Sequence, residues 1–185
     1  MTDVVRRPST RDAMVAAAEE ELRASGTLSL DSAARAAGVT KPGLMYHFST
    51  KEELMTAVLD RVLTRYEQQL TAALGAADFA AAPTLDRMRA YVEWACAGEC
   101  APGDLVMFAD PRLRESLTRH WSERIEPWLQ VPADLPEAQR GALLTARLLA
   151  DGVWFNLASD LMVLDADALA GVRATALAML ESVDA

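Results

Sequence analysis

Two short helical segments on either side of a tight turn limit what this chain can fold into more than any other feature of it. Ser29 is suited to cap a helix, and Leu30, Ala33, Ala34 and Ala37 follow at i, i+3, i+4 and i+7, one apolar helical face. Gly38 ends that run. Thr40 then caps a second short helix, where Pro42 is tolerated because the N–H it lacks has no helical partner in a first turn. Leu44 and Phe48, four apart, give this helix one buried stripe. Two short helices joined this way make a helix-turn-helix, whose second helix fits a major groove about 12 Å wide.

The rest of the 185 residues also reads as helical, with no convincing alternating strand. Ser9 and Thr10 offer N-caps to a first helix carrying Met14, Ala17, Ala18 and Leu22, which Gly26 stops. Thr50 and Glu53 have the spacing of a capping box, each side chain meeting the other residue's backbone N–H. That box opens a long helix with Leu54, Val58 and Val62 inward, expected to reach Ala73. Gly75 to Pro83 reads as the loop between two halves. Further helices are expected over about 85–97, 104–109, 112–130, 136–160 and 166–183, separated by Pro102-Gly103, Pro111, Pro132 and Pro136, and Leu164-Asp165. Pro127 is expected to kink the 112–130 helix or end it early.

Composition excludes several classes. No apolar run reaches the roughly 18 residues of a membrane span, because charge interrupts each one. Arg6 and Arg7 precede no apolar stretch, so no secretion signal is expected, and two cysteines fit a reducing cytoplasm. The formal net charge is −9, which argues at first against nucleic acid. Yet residues 1–66 hold nine Lys/Arg and nine Asp/Glu, and both lysines, Lys41 and Lys51. DNA binding asks for a locally positive face, not a basic protein.

The second short helix carries suitable chemistry. With Leu44 and Phe48 inward, Lys41, Pro42, Gly43 and Met45 lie on or near the opposite surface. Tyr46 and His47 can each donate to a phosphate, and Lys51 adds charge where the helix dipole already favours an anion. Ser29 and the amides behind it offer a second phosphate clamp. Arg6, Arg7 and Arg11 fit either an arm along phosphates or a disordered basic tail. Taken singly, Tyr46, His47 and Lys51 fit a solvated helix surface equally well; their joint spacing favours DNA.

Ala33-Ala34, Ala37-Gly38-Val39-Thr40-Lys41, Gly43-Leu44-Met45-Tyr46-His47-Phe48 and Lys51-Glu52-Glu53-Leu54 closely resemble the TetR-family DNA-binding signature, in its Gly-Leu-x-Tyr-His-Phe variant. The resemblance covers roughly the first third of the chain. It implies that Thr40, Tyr46, His47 and Lys51 contact the DNA backbone and that Lys41, Pro42, Gly43 and Met45 approach base edges. Two departures stand out: a short connection from Gly26 to the second helix, and Ala33 where Ile or Val is common. The resemblance implies an all-α fold, with a three-helix DNA-binding domain over 1–54, a linking helix over about 50–73, and a helical effector-binding and dimerisation domain over 55–185. A ligand-responsive repressor acting as a homodimer on a palindromic double-stranded operator is the function it implies.

In the second half, Leu143, Leu144, Leu148, Leu149, Val153 and Leu157 surround Gly152 on one long helix, and Leu169, Val172, Ala176, Leu177 and Leu180 repeat on the last. Leu149, Gly152, Val153, Leu169, Val172 and Leu177 are candidates for a homodimer interface; the same faces also suit packing within one subunit. Tyr91, Trp94, Met107, Phe108, Trp121, Trp154, Phe155 and Asn156 are candidates for a pocket taking a small, mostly apolar effector, or equally for core.

Cys96 and Cys100, with Glu99, lack the histidines of a zinc set, since His47 and His120 are the only two, and small buried apolar residues are the expected role. No metal and no cofactor are expected. A cofactor-binding helical enzyme would need clustered His and Glu such as Glu-x-x-His, and the sequence has none. A helical protein-interaction module built on the same helix pair is the other alternative.

Overall fold

The computed structural model describes residues 10–75, 78–98, 100 and 102–182. Arg6, Arg7, Ser9 and Glu99 lie outside the described residues. Within them the secondary structure is helical throughout: α1 (Thr10–Ser25), α2 (Leu30–Ala36), α3 (Lys41–His47), α4 (Lys51–Leu74), α5 (Thr84–Cys96), α6 (Arg114–Leu129), α7 (Glu137–Ser159) and α8 (Ala166–Glu181). The chain forms two compact units, one of Met1–Val62 with Gly103–Arg119 and one of Leu63–Pro102 with His120–Ala185.

In the first unit α1 packs on α2 and α2 on α3. Its core holds Met14, Ala18 and Leu22 of α1, Ala33 and Ala34 of α2, and Leu44 and Phe48, these last two with no exposed surface. The first turns of α4 add Leu54, Val58 and Val62, also fully buried, as their spacing requires. Leu30 and Ala37, expected on the same face as Ala33, are only half-buried.

The expected helix over 104–109 is replaced by two single 3₁₀ turns, Pro102–Asp104 and Val106–Phe108. The i to i+3 bond from the Phe108 N–H to the Leu105 carbonyl, 2.9 Å, closes the second. Pro111 disfavours the α conformation at Asp110 and so bars this stretch from running on as a longer helix. Gly103 is held against Arg23: a Cβ added there would lie 2.9 Å from Arg23 Cβ.

The second unit packs α5 against α7 and α8, and α7 against α8. Arg87, almost wholly buried, fastens the start of α5: Nη1 donates to the carbonyls of Ala80 (3.3 Å) and Pro127 (2.6 Å), and Nη2 to Thr84 Oγ1 (3.0 Å). Burial holds its guanidinium pKa below the usual value. The α6 helix runs through Pro127 and stops two residues later, so the proline does not end it at once. A helix leaves its last four carbonyls without helical partners, and Arg87 supplies one of them, that of Pro127. At the far end of α7, Asp160 takes a left-handed conformation (φ 52°), and the Asn156 side-chain amide donates to the Met162 carbonyl at 2.7 Å. Asp165 then caps α8 by accepting from the Ala168 N–H at 2.8 Å. Among the described residues no helix is long and apolar enough to cross a membrane.

Candidate nucleic-acid interface

Paired backbone bonds set the turn between α2 and α3. The Gly38 N–H donates to the Arg35 carbonyl (3.1 Å) and the Val39 N–H to the Ala34 carbonyl (2.9 Å), with Gly38 at φ 67°. This is a Schellman ending, and its left-handed residue is why glycine stands at 38. Ser29 and Ser32 cap α2 reciprocally: the Ser32 N–H donates to Ser29 Oγ (3.0 Å), and the Ser29 N–H to Ser32 Oγ (3.1 Å). Thr40 Oγ1 accepts from the Gly43 N–H at 3.2 Å and starts α3.

The seven residues of α3 then divide by burial. Leu44 is buried, Lys41, Pro42, Met45 and Tyr46 are exposed, and Gly43 and His47 lie between. Tyr46 is 87% exposed, the aromatic side chain most open to a partner in this unit. Its ring meets His47 edge-on, 5.2 Å between centroids. Beneath them Phe48 is closed off by the Arg11 guanidinium, 4.7 Å above its ring. Arg11 thus has a packing role that sequence alone left between an arm and a tail.

Both lysines are ion-paired. Lys41 Nζ lies 2.9 Å from Asp31 Oδ2 on the surface. Lys51 Nζ lies 2.5 Å from Asp110 Oδ2, and Asp110 Oδ1 also accepts from the Arg112 N–H at 2.9 Å. The hydrogen bond from Lys51, then that from the Arg112 amide, holds the Asp110 carboxyl below the usual carboxylate range. Neither carboxylate is visible to local sequence reasoning: Asp31 belongs to another helix, and Asp110 is 59 residues from Lys51.

The capping box expected from Thr50 and Glu53 is half present. Thr50 Oγ1 accepts from the Glu53 N–H (3.1 Å), but the Glu53 carboxylate takes the N–H and hydroxyl of Ser49 instead, both at 2.9 Å. Two donors on Ser49 outweigh the single amide of Thr50, and they lower the Glu53 pKa.

In the second unit, four of the pocket candidates come together around Tyr66. Trp94 and Trp121 meet its ring at 4.6 and 6.2 Å, and Trp154 Nε1 donates to its hydroxyl at 2.9 Å. Tyr91 stacks on Trp94 and donates its hydroxyl to Asp151 at 2.6 Å. Tyr66, Asp151 and Gln69, which accepts from Trp94 Nε1 at 2.9 Å, complete the cluster, and sequence reasoning missed all three. Asn156 is engaged at the end of α7, Phe155 is exposed, and Met107 and Phe108 belong to the first unit.

On α7, Leu144, Leu148 and Phe155 are exposed, with Leu148 at 69%; Gly152 is exposed, Leu149 half-buried and Val153 buried. On α8, Leu169, Val172 and Leu177 are half-buried. A shallow depression of about 260 Å³ is lined by Leu149, Ala168, Gly171, Val172 and Thr175. Cys96 and Cys100 form no disulfide, and burial pushes the Cys96 thiol pKa up, away from a reactive thiolate.

Residues 15–58 match the family model for bacterial regulatory proteins of the tetR family. No curated protein sequence matches the chain. Three solved structures share its fold along nearly the whole length. A Rhodococcus sp. protein designated a TetR-family transcriptional regulator is 17% identical, over 96% of this chain and 100% of that one, with a TM-score of 0.62. The multidrug binding protein EbrR, complexed with imidazole, is 19% identical over 94% and 96%, with a TM-score of 0.59. NalD, the secondary repressor of the MexAB-OprM multidrug efflux pump in Pseudomonas aeruginosa, gives the same figures: 19% identity, 94% and 96% coverage, and a TM-score of 0.59.

Proposed function

We propose that the chain, which matches the tetR family of bacterial regulatory proteins through residues 15–58, is a DNA-binding transcriptional regulator of that family, a ligand-responsive repressor that grips a palindromic operator as a homodimer. One observation carries this reading. The α3 helix is anchored by Leu44 and Phe48 and capped by Thr40, and it turns Lys41, Pro42, Met45 and the almost fully exposed Tyr46 outward. A helix so held presents its N-terminal residues to base edges, while Ser29, Thr40, Tyr46, His47 and Lys51 supply phosphate donors around it. Lys41, Pro42, Gly43 and Met45 are the base-facing set. We assign DNA contact to residues 1–54, with the helix over about 50–73 as the link, and effector binding and dimerisation to 55–185.

A single short recognition helix contributes too little affinity alone, so two heads on half-sites about 34 Å apart are required. The apolar residues left open on α7 and α8 are the surface we assign to pairing. The effector we propose is small and largely apolar, in keeping with the drug binding named for EbrR and the repression named for NalD. It acts in the cytoplasm by favouring a state that does not fit the operator.

A gel shift with the DNA flanking the protein's own gene tests this. Wild type is expected to retard one fragment in preference to the others. Tyr46→Phe combined with Lys51→Ala is expected to weaken binding to every fragment and to flatten its salt dependence by at most about 0.9, the contribution of the one phosphate that Lys51 neutralises. Absence of any shift with folded protein overturns the reading.

A further inference from the structure

The ion pair between Lys51 and Asp110 joins two pieces of the first unit that lie far apart in sequence. Lys51 opens α4; Asp110 sits between the two 3₁₀ turns and α6. The pair is partly shielded, with the lysine side chain 34% exposed and the aspartate 16%. Asp110 does not swing freely toward the lysine. Its Oδ1 is bound to the Arg112 N–H, so Oδ2 faces the ammonium as a fixed acceptor. The segment bearing it is itself held, since Gly103 leaves no room between its backbone and Arg23 of α1.

We infer that Asp110 weakens the chain's grip on DNA by competing with a backbone phosphate for the Lys51 ammonium. This rests on the reading that Lys51 is a phosphate contact. A lysine already neutralised by a fixed carboxylate releases fewer counterions when a phosphate arrives, because much of its charge is cancelled beforehand. A phosphate drawn to Lys51 is also brought close to the Asp110 carboxylate, a like charge in a partly shielded place. Asp110 therefore acts as a built-in ceiling on sequence-independent affinity. It leaves discrimination between operators to the base-facing residues of α3.

The test is Asp110→Asn. Asparagine keeps the Oδ1 acceptor for the Arg112 N–H and removes only the charge, so the turn is preserved. Binding of a fluorescein-labelled duplex of random sequence is followed by anisotropy between 50 and 200 mM salt, for wild type, Asp110→Asn, Lys51→Ala and the double variant. Asp110→Asn is expected to bind more tightly and to steepen the salt slope by up to about 0.9, which across that fourfold salt range is roughly a threefold change in affinity. In the Lys51→Ala background the same substitution is expected to do much less.

Asp110→Asn that binds more weakly than wild type makes Asp110 a residue that orients Lys51, and overturns the competition. Unchanged affinity and slope overturn it too. An equal gain with and without Lys51 shows a general charge effect, and again overturns it. If Lys51→Ala itself binds as wild type does, it is the phosphate role of Lys51 that fails, a result distinct from the others.

Discussion

Gly103 meets Arg23 so closely that a methyl group on it would lie 2.9 Å from Arg23 Cβ and 3.1 Å from Arg23 Cα. The second of these is backbone and cannot rotate away. Gly103→Ala is therefore expected to destabilise the protein by about 1–3 kcal/mol, the usual cost of overpacking. Urea unfolding followed by circular dichroism checks it. A change within about 0.5 kcal/mol would show that the 103–119 segment shifts at little cost.

The pair of Lys41 and Asp31 separates stability from recognition. Both side chains are well exposed, at 47% and 70%, so the 2.9 Å contact contributes at most about 1 kcal/mol to folding. Lys41→Ala is expected to leave the urea midpoint nearly unchanged. On the preferred operator it is expected to cost about 1–3 kcal/mol of binding, the range for a residue reading a base edge. Equal weakening on random DNA would move Lys41 from the base-facing set to the phosphate set.

How much of this was legible in the sequence follows from how local each feature is. Leu44 and Phe48, the Thr40 cap and the Gly38 stop are encoded within a few residues, and the helix-turn-helix follows directly from them. The Thr50–Glu53 box shows the limit of such reading. The spacing was right, but Ser49 offers Glu53 both an amide and a hydroxyl, and one residue of offset changed its partner. The partners of Lys51 and Tyr91 lie 59 and 60 residues away, where no spacing rule reaches. The aromatic pocket candidates rest on residue type alone. Type cannot separate Trp94, Trp121 and Trp154, which gather around Tyr66, from Phe155, which faces outward.

Asp151 gives a pH dependence of known sign. Burial raises its pKa above the ordinary carboxylate value, against the pull of the Tyr91 hydroxyl and of Arg147. A carboxyl whose folded pKa is raised contributes stability that is complete below its unfolded pKa and is lost as pH rises through the folded value. Asp151→Asn keeps an acceptor for the Tyr91 hydroxyl and removes the titration. Its Tm is expected to exceed that of wild type at pH 7, with the difference shrinking towards about pH 4, near the unfolded pKa of an aspartate. A constant difference across that range would show that Asp151 is not the titrating group.

Leu148 offers the most direct test of the proposed dimer. At 69% exposure it contributes little to its own subunit's core, unlike the buried Val153 one face away. Leu149 and Leu177 are half-buried, so a charge at either one perturbs folding as well as pairing. Leu148→Glu places a carboxylate on the open face of α7, where a lone subunit can solvate it. The folding cost is expected to stay within about 0.5 kcal/mol. In a dimer that uses this face, the same carboxylate is buried against apolar surface without a partner, which is strongly unfavourable. Sedimentation velocity at micromolar concentration is therefore expected to show a wild-type dimer and a folded Leu148→Glu monomer. Operator affinity should fall with it, because each head then binds its half-site without the other. A variant that remains dimeric would place the interface elsewhere, and a wild type already monomeric at that concentration would remove the premise of paired heads.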